Sequence, residues 1–311
     1  KNTEAVDACT ALNIIGGYPD GSFKPEGNIT RAEVTKMICV ALNGGKNPAV
    51  STNTTPTFSD VRNNANAAWA EGYIESCAAQ GIVSGVGGGK FAPNGNVTGV
   101  QLAKMLLVSL GYKSENEGFT GNAWATNVNV RAAQKGLYEG LEKMDTSAAI
   151  TRDNAAQMVW NALQAYEVEY VTNLVADKDG KLSTQITVQD KIDITSKERI
   201  TLMEDKYETE SPTGVLATVS KESGKDSYMI TIKNAVYNGK DYGTADKNGS
   251  YTVSYSKVPA NYIDLLGQDV RVLVKPSKNG KDATVYGVYA TSKNTAQTGL
   301  LADLKMDGAK A

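Results

Sequence analysis

The feature that most constrains this chain is a helix start written three times. Ile29-Thr30-Arg31-Ala32-Glu33, Val97-Thr98-Gly99-Val100-Gln101 and Ile150-Thr151-Arg152-Asp153-Asn154 each set a threonine before an apolar helical stripe. Thr30 with Glu33, and Thr98 with Gln101, have the spacing of a reciprocal capping box, which Thr151 with Asn154 keeps in weakened form. After Thr30, Val34, Met37, Ile38 and Ala41 recur at helical spacing, so one helix face is buried. One such hairpin cannot cover its own apolar face, whereas three around an axis can.

Each start is preceded by a helix and a glycine-rich loop. This divides the first half into a copy at 1–45, a Thr-, Asn- and Pro-rich linker at 46–57, a second copy at 58–112 and a third at 113–166. The first loop, Gly17-Tyr18-Pro19-Asp20-Gly21-Ser22-Phe23-Lys24-Pro25, is echoed by Gly87-Gly88-Gly89-Lys90-Phe91-Ala92-Pro93, while the third, Leu141 to Asp145, lacks the Phe-x-Pro ending. The chain opens inside a helical pattern, which implies residues upstream of it.

Arg31 and Arg152 share one first-turn position, where the helix dipole disfavours a cation by roughly 0.3–1 kcal/mol. Something must compensate. A bound anion at the helix N-terminus would do so, as would pairing with an acid such as Asp20. Both readings stand, and the second copy offers neither, because Gly99 holds the position.

Composition narrows the chemistry. The chain has no histidine, which removes imidazole bases, the triads built on them and the usual zinc ligands. A net charge of −2 gives no electrostatic case for nucleic acid, and no apolar run reaches membrane-spanning length. No signal peptide, cofactor motif or metal site is legible. Cys9 and Cys77 occupy one equivalent position, filled by Ala132 in the third copy, so small buried thiols are expected rather than a disulfide.

All four Phe and all three Trp precede residue 166, while most Tyr follow it, so a differently built domain is expected at 167–311. Alternating runs at 168–171, 185–188, 214–219, 228–232, 251–255, 270–274 and 283–289 read as strands. Polar turns such as Asp179-Gly180, Asn238-Gly239, Asn248-Gly249 and Asn279-Gly280 separate them. A helix is expected from Thr195, boxed by Glu198, to about Asp205, with a further turn at Tyr262–Leu266. The expected class is α+β in two domains, a three-repeat helical bundle followed by a β sandwich or small barrel. The acidic residues Asp177, Asp179, Asp190 and Asp193 lack the rest of a calcium loop and read as solvated turns. The paired strand tyrosines, Tyr251 with Tyr255 and Tyr286 with Tyr289, read as sheet packing.

The three copies resemble the S-layer homology domain in its usual triplet, over about half the chain. The resemblance implies a pseudo-threefold helical bundle on the bacterial surface that binds a secondary cell-wall polysaccharide, typically one carrying pyruvate ketals, in grooves between its prongs. It implies anion contact by Arg31 and Arg152, with Asp60, Trp69 and Trp124 from the copy openings as further groove residues and Tyr18 and Asp20 as loop candidates. Core packing is the competing reading for the two tryptophans, and turn geometry for Asp20. The functional expectation is a non-catalytic surface anchor, an S-layer component with possible self-association. The alternatives are a fragment of an anchored polysaccharide hydrolase and a packing module without glycan binding.

Overall fold

The helix starts set the layout of the computed structural model, which describes residues 2–49, 55–176, 178–277, 283–291 and 293–294. Its helices are α1 (Thr3–Ala11), α2 (Arg31–Leu42), α3 (Glu71–Ala79), α4 (Gly99–Ser109), α5 (Trp124–Gln134), α6 (Arg152–Gln164) and a short α7 (Leu202–Tyr207). Thr30 and Thr98 cap α2 and α4 through complete boxes with Glu33 and Gln101, and Thr151 caps α6 by accepting the Asn154 N–H. Each box satisfies backbone donors that the first helical turn leaves unpaired.

The apolar residue before each cap closes a backbone ring. Ile29 N–H donates to Ile150 O at 3.1 Å, Ile150 N–H to Val97 O at 2.8 Å, and Val97 N–H to Ile29 O at 3.3 Å. A second set runs in the opposite sense: Ala32 N–H to Pro93 O, Val100 N–H to Thr146 O, and Asp153 N–H to Pro25 O. Each helix start therefore rests on the loop of another copy. The helix pairs follow the same order, with α2 packed on α3, α4 on α5, and α6 back on α1. Ile29, Val97 and Ile150 are fully buried at the ring, and Trp160, Phe91 and Phe119 are among the largest fully buried side chains.

By packing, the chain divides into Lys1–Glu210 and Ser211–Ala311. Secondary structure changes to strand at Val168, yet the hairpin of β1 (Val168–Ala176) and β2 (Leu182–Asp190) belongs with the helices. Ion pairs fasten its base: Lys135 with Asp190 at 2.8 Å, and the buried Glu167 with Lys191 at 2.7 Å and Lys206 at 3.6 Å. The helix expected from Thr195 begins instead after Thr201, boxed by Glu204. Asp193 captures the Thr195 and Ser196 N–H groups, and Lys197 turns at φ 61°, so the earlier capping pattern is spent on a turn.

The second unit is antiparallel throughout. Strands β3 (Thr213–Lys221), β4 (Tyr228–Tyr237), β5 (Lys240–Asp241), β6 (Thr244–Ala245), β7 (Tyr251–Val258), β8 (Asp269–Lys275) and β9 (Thr284–Ala290) form one sheet ordered β6-β7-β4-β3-β8-β9, with β5 on β4. The sheet curls until β9 lies near β7, enclosing Leu216, Ile230, Ile232, Tyr255, Val272 and Val288. Tyr255 is thus a core residue, and the turn expected near Tyr262 is a 3₁₀ turn at Ile263–Leu265. The Asn279-Gly280 turn and Asp177 lie outside the described residues.

Candidate functional site

A groove of about 510 Å³ opens in the first unit beside the start of α2. Its floor is the Gly16–Tyr18 loop with Ala32 and Met37, and its walls carry Glu33, Lys36, Trp69 and Arg152. Trp69 lies in the 3₁₀ turn Ala68–Ala70 before α3 and is 48% exposed, its indole N–H spent on Asn66 O. The Lys36 ammonium stands 5.9 Å from the ring centres of both Trp69 and Tyr73. Among the described residues Lys36 makes no ion pair, so it is the groove's uncompensated cation.

Arg152 is only 5% exposed. Its Nε donates to Phe23 O and one Nη to Gly16 O, both at 3.0 Å, while the other Nη reaches Glu33 Oε1 at 3.3 Å. The guanidinium also lies over the Tyr18 ring, 4.5 Å from its centre. Tyr18 donates to Glu33 Oε1, and burial, then that hydrogen bond, raise the phenol pKa against the opposing Arg152 charge. Glu33 thereby serves the α2 cap, Tyr18 and Arg152 together. Of the charged lining residues, one carboxylate faces two cations, so the groove carries net positive charge.

Arg31 repeats the arrangement one copy on. Its Nε donates to Phe91 O at 2.8 Å and an Nη to Ser84 O at 2.7 Å, with the guanidinium 4.4 Å from the Phe91 ring centre. Asp60 supports this loop by accepting the Phe91 and Ala92 N–H groups at 2.8 and 2.9 Å. The Arg31 pKa is lowered by burial, with Asp60 opposing. In the third position a Cβ on Gly99 would meet Thr146 Cα at 3.1 Å and Met144 Cε at 3.2 Å, so the slot is closed. The compensation sought for the first-turn cations is thus present inside the fold, as backbone carbonyls of another copy.

The remaining candidates separate by position. Tyr18, Trp69 and Arg152 share the groove, whereas Arg31 and Asp60 meet at the second loop. Trp124, half-buried, opens α5, with Lys104 Nζ 5.8 Å from its ring and donating to Phe119 O at 2.7 Å. Asp20 accepts the Ser22 N–H and hydroxyl and pairs with Lys24, and the Ser22 bonds hold its carboxyl down at about 2. That is turn chemistry on an exposed loop. Lys36 was missed by the sequence reading, although a signal existed: Lys36 and Lys104 each lie at the same offset from the cap threonines Thr30 and Thr98.

Among the described residues no group of three or more His, Cys, Asp or Glu comes together as a metal site, and no helix is long and apolar enough to cross a membrane. The S-layer homology domain model matches residues 1–35 and 57–103. The chain carries the S-layer homology domain. It is 24% identical over 275 residues to the Middle cell wall protein of Brevibacillus brevis, covering 88% of this chain and 24% of that one. It is 23% identical over 323 residues to the S-layer protein EA1 of Bacillus anthracis, covering 93% and 36%. The Exoglucanase XynX of Acetivibrio thermocellus is 29% identical over 175 residues, covering 52% of this chain and 15% of its own. The chain spans about a quarter to a third of the length of the first two relatives. Together these matches make it a secreted protein associated with the cell wall and the cell surface.

Proposed function

We propose that the chain is a non-catalytic anchor whose three copies form one pseudo-threefold body, followed by a β domain, and that the Trp69 groove holds an anionic cell-wall polysaccharide of the kind that carries pyruvate ketals. One observation carries this reading: an exposed indole and an unpaired ammonium share a groove of net positive charge. An aromatic face suits the apolar side of a sugar ring, and Lys36 suits a carboxylate as a point charge. Arg152 lines the same groove, but its carbonyl and Glu33 bonds make it chiefly the part that fixes Tyr18 and the loop.

The inward bonds of both arginines favour a second reading, in which the copies serve packing and self-association without glycan. Retention of the full chain on purified cell walls separates the two. Lys36→Ala and Trp69→Ala alter exposed side chains and leave the fold intact, and each is expected to weaken retention about 5- to 30-fold, the size of a desolvated cation or aromatic contact. Native retention in both variants, or retention indifferent to removal of acidic glycan, overturns the anchor reading in favour of packing.

A further inference from the structure

The three helix pairs cross at equivalent positions, and one crossing differs from the other two. Nine residues beyond each cap threonine stand Cys39 on α2, Leu107 on α4 and Trp160 on α6. The facing helices present Cys77, Ala132 and Cys9 in turn. The equivalence is physical, because Cys77 Sγ contacts Thr35 O and Cys9 Sγ contacts Ala156 O, each at 3.8 Å and each five residues beyond its cap. Leu107 with Ala132, and Trp160 with Cys9, pair a large side chain with a small one. Only between α2 and α3 do two cysteines face each other, both free thiols and buried, with the Cys77 thiol donating to the Thr35 carbonyl one helical turn before Cys39.

We propose that Cys39 and Cys77 close into a disulfide in the exported protein, a covalent clasp between α2 and α3 beneath the Trp69 groove. Three observations support it: the Cys77 sulfur rests on the Thr35 carbonyl one turn before Cys39, the two cysteines lie on helices already packed together, and the chain works outside the cell, where disulfides persist. In the packed pair Cys77 lowers the Cys39 pKa, and Cys39 raises that of Cys77. Cys9, with no second sulfur, is pushed up to about 12 by burial.

The step needs an external disulfide, either a small-molecule one or that of an exported thiol oxidase. Either thiolate of the pair attacks one donor sulfur, forming a mixed disulfide and expelling a donor thiolate. The other cysteine then gives up its proton and attacks the first cysteine's sulfur, expelling the second donor thiolate. One protein disulfide forms, and the donor disulfide takes two electrons and two protons. Because both thiols are buried, exchange takes place before the α2–α3 pair closes or when it opens.

The clasp would pin both walls of the groove. Lys36 lies one turn before Cys39 on α2, and Tyr73 one turn before Cys77 on α3, close enough that the Cys39 charge bears on the Tyr73 phenol. This consequence rests on the glycan reading, but the disulfide itself does not.

The test is refolding of the full chain in a reduced/oxidised glutathione buffer, followed by alkylation in denaturant and peptide mapping. The expected major product links Cys39 to Cys77 and leaves Cys9 alkylated. Its melting temperature should lie several degrees above that of the reduced chain, a difference lost in Cys77→Ala and retained in Cys9→Ala. Three alkylated cysteines, or Cys9 linked as often as the others, overturns the proposal. An intact clasp on a chain that ignores cell walls would instead count against the glycan reading alone.

Discussion

Arg152 and Arg31 hold the same backbone position, one residue past a capping threonine, and both aim a guanidinium at two carbonyls of another copy. Around Arg152 the loop adds Tyr18, Phe23 and the Glu33 carboxylate, and the side chain is buried. Around Arg31 a ring is kept in Phe91, where the first loop has Phe23, but the other two places fall to residues without charge or ring: Val86 stands exposed where the first loop has Tyr18, and Gln101 stands where the first box has Glu33. Arg31 is accordingly only half-buried. One motif thus yields a locked cation in one place and a partly wet one in the other. What surrounds the motif decides its role.

Truncation should separate the two. Arg152→Ala strands a half-buried carboxylate and two carbonyls, at a cost of about 3–5 kcal/mol, which for a unit of this size lowers the melting temperature on the order of 10 °C. Arg31→Ala loses two charge-assisted hydrogen bonds at a more exposed site and should cost about 1–3 kcal/mol. Thermal unfolding followed by circular dichroism measures both. Equal losses would break the comparison, and a larger loss for Arg31 would invert it.

Gly99 extends the series to a position with no arginine. Gly99→Ala should destabilise by about 1–2 kcal/mol, because the added carbon presses on the Thr146 backbone even if the Met144 methyl moves away. The same substitution at an open helix position would stabilise slightly through propensity. A neutral or stabilising Gly99→Ala, read from the urea midpoint, would mean that the slot is open and that the third cradle is missing only its side chain.

Much of this was legible in advance, for reasons that can be named. Capping boxes and apolar stripes are local, so Thr30, Thr98 and Thr151 set their helix starts from sequence alone. Period-two alternation found strands at each of the seven runs expected to hold one. The Thr195 start failed because two box patterns compete within ten residues, and Asp193 settles the contest with side-chain bonds that periodicity does not see. The attachment of the β1–β2 hairpin to the helices was hidden as well, since it depends on Lys135 meeting Asp190 from far along the chain. For the same reason Lys36 escaped notice. Its neighbours Trp69 and Tyr73 come from the next copy, and no local pattern says that they will face it.

The smallest expected effect sharpens the comparison at the acid beside Arg31. Burial pushes the Asp60 carboxyl up, but the Phe91 and Ala92 N–H groups, with Lys90, outweigh it and hold the pKa below 3.8. The sign follows from linkage: above 3.8 Asp60 is ionised in folded and unfolded chains alike, and its stabilisation is fully present. As pH falls below 3.8 the unfolded chain takes the proton first, and the stabilisation is lost as pH passes through the folded value. Solvent screening at this partly exposed site limits the effect to at most about 1 kcal/mol. Urea midpoints between about pH 5 and pH 2.5 should therefore fall less steeply in Asp60→Asn than in the native chain, roughly in line with the loss of one titrating carboxylate. If the two curves run parallel, the Phe91 loop is held by its backbone alone, and the Arg31 cradle needs no acid beneath it.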